Sequence, residues 1–358
     1  MMRYKETLRM LLVAVVVSVT AGVASGEDET LRAANRQIQA GDYDAAIQTL
    51  KNYTNENPQN GRAWLALANA YHQKGDLKNA VDLNRRAAKI PYARATARYN
   101  EACALSLLGR TDDAWTALEA AIVAGFLDYD LMANDTDLEA MREKHTIPFP
   151  PRQTYETLRA RNGIELGYKV LLPRGFDADA TYPALVIFPP GSGSRSTDWA
   201  VTELMGPRDN TNGWIVLYPV GPDRGWFTHP SHHALNDLLD EMKEKYSIEN
   251  DRFHLAGFGS GARVAATYSQ MSREYFRSLT TFSGWHWESY EDDDLGSAFR
   301  NMPVNLVVGA DDAFGIALNK KIEVLMKAQG VDVSLFVVAD ETQLLSSVRR
   351  ARIMDYVR

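Results

Sequence analysis

The strongest chemical pattern in this chain of 358 residues lies between His254 and Arg263, where the sequence reads His-Leu-Ala-Gly-Phe-Gly-Ser-Gly-Ala-Arg. Apolar residues lead through a glycine-rich turn directly into a helical pattern. This is the setting of a nucleophile elbow, a sharp strand-to-helix turn that presents a catalytic serine at its apex. The strand and the helix approach so closely there that the residues two before and two after the apex must be small.

Two residues compete for the apex of this turn. With Gly259 at the apex, the flanking positions are Gly257 and Gly261, as the steric requirement demands. With Ser260 at the apex, Phe258 would stand two residues before it and would collide with the neighbouring strand and helix. We therefore predict that Gly259 occupies the apex, so that a hydrogen atom replaces the side chain of the nucleophile.

The elements that must position this turn follow a change in composition near Pro148. Prolines cannot continue a helix, so residues 148–154 predict a linker between two domains. Apolar strands then alternate with amphipathic helices, which predicts a mostly parallel sheet covered by helices on both faces. The sequence predicts a hairpin over 159–172 and strands over 184–188, 214–218, 253–258, 279–282, 304–308 and 334–338. The predicted helices cover 232–246, a segment from Gly261, 315–329 and 343–357.

Residues 155–358 resemble the α/β-hydrolase superfamily, particularly secreted esterases of the polyhydroxybutyrate-depolymerase and feruloyl-esterase type. The resemblance is carried by the elbow and by Leu-Val-Ile-Phe-Pro-Pro-Gly at 185–191, Tyr-Ser-Ile-Glu-Asn-Asp-Arg at 246–252 and Asn-Leu-Val-Val-Gly-Ala-Asp-Asp at 305–312. It implies an α/β-hydrolase fold and a serine–histidine–acid site for ester hydrolysis.

The resemblance also implies where the other catalytic groups should stand. The acid corresponds to Asp312, with Asp311 beside it, although an acidic pair after a strand is also a common helix start. The histidine of such enzymes lies in the loop after the last strand. This chain has Thr342 or Gln343 there, and no histidine follows His286.

These departures favour a catalytically silent domain, because a serine nucleophile needs a base and loss of either group removes most of the rate advantage. The alternative is an active carboxylic-ester hydrolase with Ser260 as nucleophile, His286 as a substitute base and Asp312 as the acid. We predict no cofactor, and no metal site either, because no acidic or cysteine ligand stands at a familiar spacing from the clustered His229, His232 and His233.

A ligand-binding cleft is the function expected of a silent domain. The resemblance places His-Gly in the oxyanion loop, and this chain has Pro190-Gly191 there, followed by Ser192. A sugar, a small ester or a carboxylate would fit such a cleft, the last on backbone amides at the helix start. Four tryptophans in predicted loops would either rim this cleft or bury themselves as a lid: Trp199, Trp226, Trp285 and Trp287.

The first part of the chain repeats with a period of 34 residues, seen at Gly41, Gly75 and Gly109 and, five residues after each, at Ala46, Ala80 and Ala114. Glycine permits the left-handed backbone at a helix end, and alanine permits close packing of paired helices. Residues 27–147 resemble a tetratricopeptide-repeat (TPR) array. The second repeat matches that family at Trp64, Leu67, Ala68, Tyr71, Gly75, Ala80 and Ala87.

The third repeat departs from the pattern by placing Glu101 where Leu67 stands in the second, and residues 125–138 look like a terminal cap. The resemblance implies a concave groove that binds a protein or peptide partner. Two alternatives stay open: the repeats brace the following domain, or the whole chain is an assembly adaptor without a small-molecule ligand.

Composition limits the partners and the compartment. The net charge of −7 argues against a nucleic-acid partner, DNA included. The single Cys103 cannot form an internal disulfide and is predicted to be buried and inert. A basic start, an apolar stretch of about 15 residues and small residues before Glu27 predict a cleavable export signal over residues 1–26. We expect a periplasmic or secreted protein, anchored in the membrane if the signal is retained.

Overall fold

The computed structural model describes residues 26–90, 93–191, 194–204, 211–221, 229–283, 295–310, 312–339 and 353–357. These residues form two compact units. The helical unit lies within Met1–Phe126 and Leu131–Ile147. The sheet unit contains Leu127–Asp130 and the described residues from Pro148 onwards. None of the described helices is long and apolar enough to cross a membrane.

Three helix pairs build the helical unit. A glycine in the left-handed region separates the two helices of each pair. These glycines are Gly41, Gly75 and Gly109, with φ of 79°, 86° and 74°. The second helix of each pair begins two residues after its glycine, which confirms the predicted period and the TPR fold. The pairs are α1 (Gly26–Gln39) with α2 (Tyr43–Glu56), α3 (Gly61–Lys74) with α4 (Leu77–Ala87), and α5 (Arg94–Leu107) with α6 (Thr111–Ala124).

Small residues and acidic caps explain why each pair closes. Ala46, Ala80 and Ala114 are fully buried, so no larger side chain separates the paired helices. The Asp42 side chain accepts a hydrogen bond from the Ala45 backbone amide at the start of α2, and Asp76 accepts one from Asn79 at the start of α4. Such side-chain caps satisfy amides that a helix start leaves unpaired.

The departure at Glu101 has a physical explanation. Its carboxylate is almost fully buried, and it accepts hydrogen bonds of 2.7 Å from Arg85 of α4 and from Arg98 of α5. Burying a carboxylate is costly unless cations and donors satisfy it. An ion-paired acid therefore replaces the apolar contact that Leu67 makes in the second repeat.

A short terminal segment follows the third pair. Gly125, with φ of 107°, ends α6. Helix α7 (Tyr129–Asn134), a 3-10 turn (Thr136–Leu138) and helix α8 (Glu139–Arg142) come next. Helix α8 packs on α5 and α6, as expected of a cap on a repeat array.

The sheet unit contains eight strands in the order β1-β2-β4-β3-β5-β6-β7-β8. Strands β1 and β2 are antiparallel, β2 pairs antiparallel with β4, and the remaining pairs are parallel. This mostly parallel sheet confirms the predicted fold class. Its strands are β1 (Glu156–Arg159), β2 (Glu165–Leu171), β3 (Ala184–Phe188), β4 (Ile215–Pro219), β5 (Phe253–Phe258), β6 (Phe276–Phe282), β7 (Val304–Gly309) and β8 (Val333–Val338).

The helices of the sheet unit follow the prediction with three differences. Helix α9 (Ser194–Glu203) and the short helix Leu295–Ala298 were not predicted. Residues 353–356 of the predicted last helix form a 3-10 turn, Ile353–Tyr356, while 340–352 lie outside the described residues. Residues 1–25 of the predicted export signal, which was expected over 1–26, also lie outside them. The other helices are α10 (His229–Lys245), α11 (Ser260–Met271), α12 (Leu295–Ala298) and α13 (Ala313–Ala328).

Candidate functional site: the turn between β5 and α11

Gly259 lies between β5 and α11 with φ of 53° and ψ of −119°, a backbone conformation that side chains rarely adopt. Its amide donates a 2.9 Å hydrogen bond to the Phe282 carbonyl at the end of β6. The turn therefore stands at the carboxyl edge of the central parallel strands, where ligand sites form in open α/β sheets. The structure places Gly259 at the apex and Ser260 as the first residue of the helix.

The glycines on either side of the apex allow the strand and helix to touch. A Cβ atom on Gly257 would overlap the Gly261 carbonyl group, and one on Gly261 would overlap the carbonyl oxygens of Phe188 and Pro189. By contrast, the described atom nearest to a Cβ on Gly259 would be the Pro190 Cβ, at 3.5 Å. The described residues therefore leave room for a side chain at the apex, where the chain has none.

The Ser260 hydroxyl is engaged by the loop after β3. The Gly191 backbone amide donates a 2.8 Å hydrogen bond to Ser260 Oγ, and the Ser260 side chain is exposed. Gly191 has φ of 86°, and a Cβ atom there would overlap the Ser196 hydroxyl. No imidazole is hydrogen-bonded to Ser260 Oγ among the described residues. Ser260 Oγ therefore occupies the Gly191 amide, a backbone donor to which a ligand oxygen would otherwise bind.

Asp312 caps its own helix. Its buried carboxylate accepts a 2.9 Å hydrogen bond from the Gly315 amide at the start of α13. Burial raises the pKa of Asp312, and the Gly315 bond opposes that shift. Both observations describe an N-cap, the structural role that an acidic residue in this position often has. Asp311 lies outside the described residues.

His232 of α10 contributes to packing. His232 is buried against Tyr268, and its Nε2 lies 2.5 Å from the Ser272 hydroxyl, which donates to Asn236. His233 is exposed. Among the described residues, no three histidine, cysteine or acidic side chains converge as metal ligands.

A buried polar cluster on the central strands was not foreseen from the sequence. His254 Nδ1 lies 2.6 Å from Ser278 Oγ, and burial lowers the pKa of His254 to about 4, with Arg277 contributing. Ser278 donates to the Val357 carbonyl, while Thr280 and Asn305 both donate to the Tyr356 carbonyl. These four polar side chains, His254 included, attach the last described turn of the chain to β5, β6 and β7. Their only sequence signal is polarity inside apolar strands.

Ser283 is a further residue that the sequence pattern did not reveal. It follows β6 directly, beside the elbow, because Phe258 pairs with Phe282 across β5 and β6. Its φ of 50° is strained for a residue with a side chain, and its buried Oγ has no hydrogen-bond partner among the residues that the structure describes. Strained backbone is concentrated at functional sites, so Ser283 joins Gly259 and Ser260 as a candidate site residue.

The remaining predicted site residues divide into two groups. Trp199 was predicted in a loop, and this is wrong: it lies inside α9 and is buried, because the chain folds into a helix directly after the β3 loop. The others lie outside the described residues and stay predictions: Ser192, Trp226, Trp285, Trp287, His286, Thr342 and Gln343.

A comparison with protein families identifies the helical unit. A family model described as "Tetratricopeptide repeat" matches residues 31–95, within the first two repeats. No curated protein matches the chain. The match lies in the helical unit, whose three helix pairs form a TPR array. The sheet unit is a mostly parallel sheet with a glycine-flanked turn.

Solved structures that are similar to the chain include three esterases. A thermostable esterase has 16% identity and a TM-score of 0.42, over 52% of this chain and 54% of that protein. A ferulic acid esterase has 18% identity and a TM-score of 0.39, over 56% and 98%. Est1E from Butyrivibrio proteoclasticus has 14% identity and a TM-score of 0.39, over 54% and 91%. The chain thus spans about half the length of the thermostable esterase.

Proposed function

We propose that the sheet unit binds a ligand or a protein without hydrolysing it, and that the TPR unit supplies protein contacts in an exported protein. The observation that carries the proposal is Gly259 at the apex of the β5–α11 turn. A serine hydrolase needs a hydroxyl at that point and a base to deprotonate it.

Two further contacts support a binding role. Ser260 Oγ is hydrogen-bonded to the Gly191 amide, and the Asp312 carboxylate caps α13. Ser260 and Asp312 thus each already have a structural contact. The ligand proposed for the cleft is a small ester, a sugar or a carboxylate, recognised by Gly191 and Ser192 and by Trp226, Trp285 and Trp287.

The second candidate is an active ester hydrolase that uses Ser260 with His286. One observation favours it: Ser260 is exposed and adjacent to the apex, so its hydroxyl is accessible to a substrate. Release of the Gly191 hydrogen bond would free this oxygen for attack. A pure adaptor that acts only through the TPR groove is the third candidate.

A fluorophosphonate probe separates the first two candidates, because it reacts with activated serines. We expect no labelling of the full chain above that of the Ser260→Ala variant. Labelling that is abolished by Ser260→Ala would overturn the binding proposal and establish a hydrolase. Binding of a partner by residues 27–147 alone, with no ligand found for the full chain, would favour the adaptor.

The position of Gly259 at the apex also predicts how ester hydrolysis could be restored. Gly259→Ser alone should give little ester hydrolysis, since the position of the family's histidine holds Thr342 or Gln343. Gly259→Ser with a histidine at residue 342 or 343 should give measurable hydrolysis of a nitrophenyl ester. Activity from the single change would show that another histidine already serves the site.

A further inference from the structure

The first helices of the three pairs line the inner face of the TPR array. Helices α1, α3 and α5 contact one another more extensively than the second helices do, which places them on the inside of the curve. Repeat arrays use this concave surface to bind extended partners. Whatever occupies this concave surface therefore decides which partners the helical unit can bind.

A segment of the chain itself lies across this inner face. We define the acidic segment as Asp135–Leu138. The Tyr99 hydroxyl of α5 donates a 2.5 Å hydrogen bond to the Asp135 carboxylate. His72 Nε2 of α3 lies 2.9 Å from the Asp137 carboxylate. An element stacked only on the end of the array would touch the last repeat alone. Contact with both α3 and α5 places the acidic segment across two repeats.

The face under the acidic segment is built to accept a carboxylate. Asp135 is buried, and it accepts hydrogen bonds from Tyr99 and, at 3.5 Å, from the Cys103 thiol, as well as from the Asp137 amide. Burial and the Asp135 charge raise the pKa of both Tyr99 and Cys103, so both remain protonated donors. A buried carboxylate is tolerated only where donors are provided in this way.

Apolar contacts follow the two carboxylates. Leu138 and Met141 are fully buried, and the Met141 amide donates a 3.3 Å hydrogen bond to the Ser106 hydroxyl of α5. Tyr99, Cys103 and Ser106 stand four and then three residues apart, so they share one face of α5. The segment is thus held by the Tyr99 and Cys103 donors and by the buried Leu138, while Met141, just after it, is held by the Ser106 acceptor.

We propose that the inner face carrying His72, Tyr99 and Ser106 is a binding site for an acidic peptide, and that the acidic segment occupies this site until a partner of the same chemistry displaces it. The partner would carry two carboxylates two residues apart, followed by a large apolar residue. This inference rests on the partner-binding role proposed for the TPR unit. Fluorophosphonate labelling concerns the sheet unit, so the two proposals can fail separately.

The only cysteine of the chain provides a reporter, because Cys103 is buried directly beside Asp135. Asp137→Asn weakens the contact with His72 and should open the segment. We expect a thiol reagent to label Cys103 of this variant about ten-fold faster than in the unchanged full chain, with helical content retained. The matched control is Asp112→Asn, which breaks the equally long His145–Asp112 pair and should leave the labelling rate unchanged.

Peptide binding completes the test. A fluorescent peptide with the sequence of residues 134–143 is titrated with the full chain and with the Asp135→Asn/Asp137→Asn variant. We expect the variant to bind it at least about ten-fold more tightly, and a peptide with both aspartates changed to asparagine to bind neither protein. Equal labelling of Cys103 in Asp137→Asn and the unchanged chain, or no gain in peptide binding, would overturn the proposal. Loss of cooperative melting of the helical unit in either variant would overturn it as well, because the segment would then be an integral part of that fold.

Discussion

The two units of this protein use glycine for opposite reasons. In the TPR unit, Gly41, Gly75 and Gly109 adopt positive φ, and a Cβ atom on any of them would meet nothing within 4 Å. In the sheet unit, a Cβ atom on Gly257 or Gly261 would overlap backbone atoms. The three glycines of the TPR unit are needed because their backbone is left-handed. The two glycines of the sheet unit are needed because there is no room for a side chain. The consequences of substitution should therefore differ sharply.

The largest effect is expected for Gly261→Ala. The added methyl group would overlap the carbonyl oxygens of Phe188 and Pro189, which belong to the rigid backbone at the end of β3. We expect a loss of about 3 kcal/mol or more in the free energy of unfolding of the sheet unit. Urea unfolding followed by tryptophan fluorescence measures it. A loss under 1 kcal/mol, on the order of a surface change, would contradict the close contact.

Acid should also distinguish the units. The pKa of His254 is about 4 in the folded protein, against about 6.5 in an unfolded chain. Between these values the unfolded chain takes up a proton that the folded chain does not. The stability of the sheet unit is therefore complete above pH 6.5 and falls as the pH drops towards 4, by at most about 3 kcal/mol.

The measurement for His254 is a series of urea unfolding curves between pH 7 and pH 5, above the range in which most carboxylates titrate. His254→Gln keeps a polar side chain but cannot titrate, so its stability should vary less with pH than that of the unchanged protein. Parallel curves for the two proteins would show that His254 does not carry the effect.

A smaller effect is expected at the conformational glycines. Gly75→Ala keeps open space around the side chain but forces a methyl group into the left-handed region, at a cost of about 1 kcal/mol. Gly75→Asn should cost less, because asparagine tolerates this conformation. Thermal melting of the helical unit by circular dichroism provides the comparison. An equal loss for both substitutions would mean that space, and not conformation, is limiting.

The smallest effect is expected where the TPR pattern is broken. Glu101→Leu restores the residue type of the second repeat and removes a buried carboxylate with both of its ion pairs. Replacing a buried ion pair by an apolar side chain is often neutral, so we expect a change within about 1 kcal/mol. Glu101→Ala is the control, since it leaves a cavity and should cost more.

The sequence predicted what depends on local periodicity and backbone sterics. The period of Gly41, Gly75 and Gly109 located the helix pairs, and the apolar runs located the strands of the sheet. Contacts between distant residues could not be foreseen. The bond from Gly191 to Ser260 joins residues far apart in sequence, as does the contact of His72 with Asp137. Asp312 was compatible with two roles, and only its hydrogen bond to Gly315 identifies the cap.

The polar cluster on the central strands bears on the order in which the two units fold during synthesis. Ser278, Thr280 and Asn305 find their acceptors in the carbonyls of Tyr356 and Val357. During translation these three hydrogen bonds form only after residues 356 and 357 have left the ribosome, and a donor that is buried before its acceptor arrives costs about 1–3 kcal/mol. The TPR unit, made first from local contacts, has no such delay, so the nascent protein carries a finished repeat array ahead of an unfinished sheet.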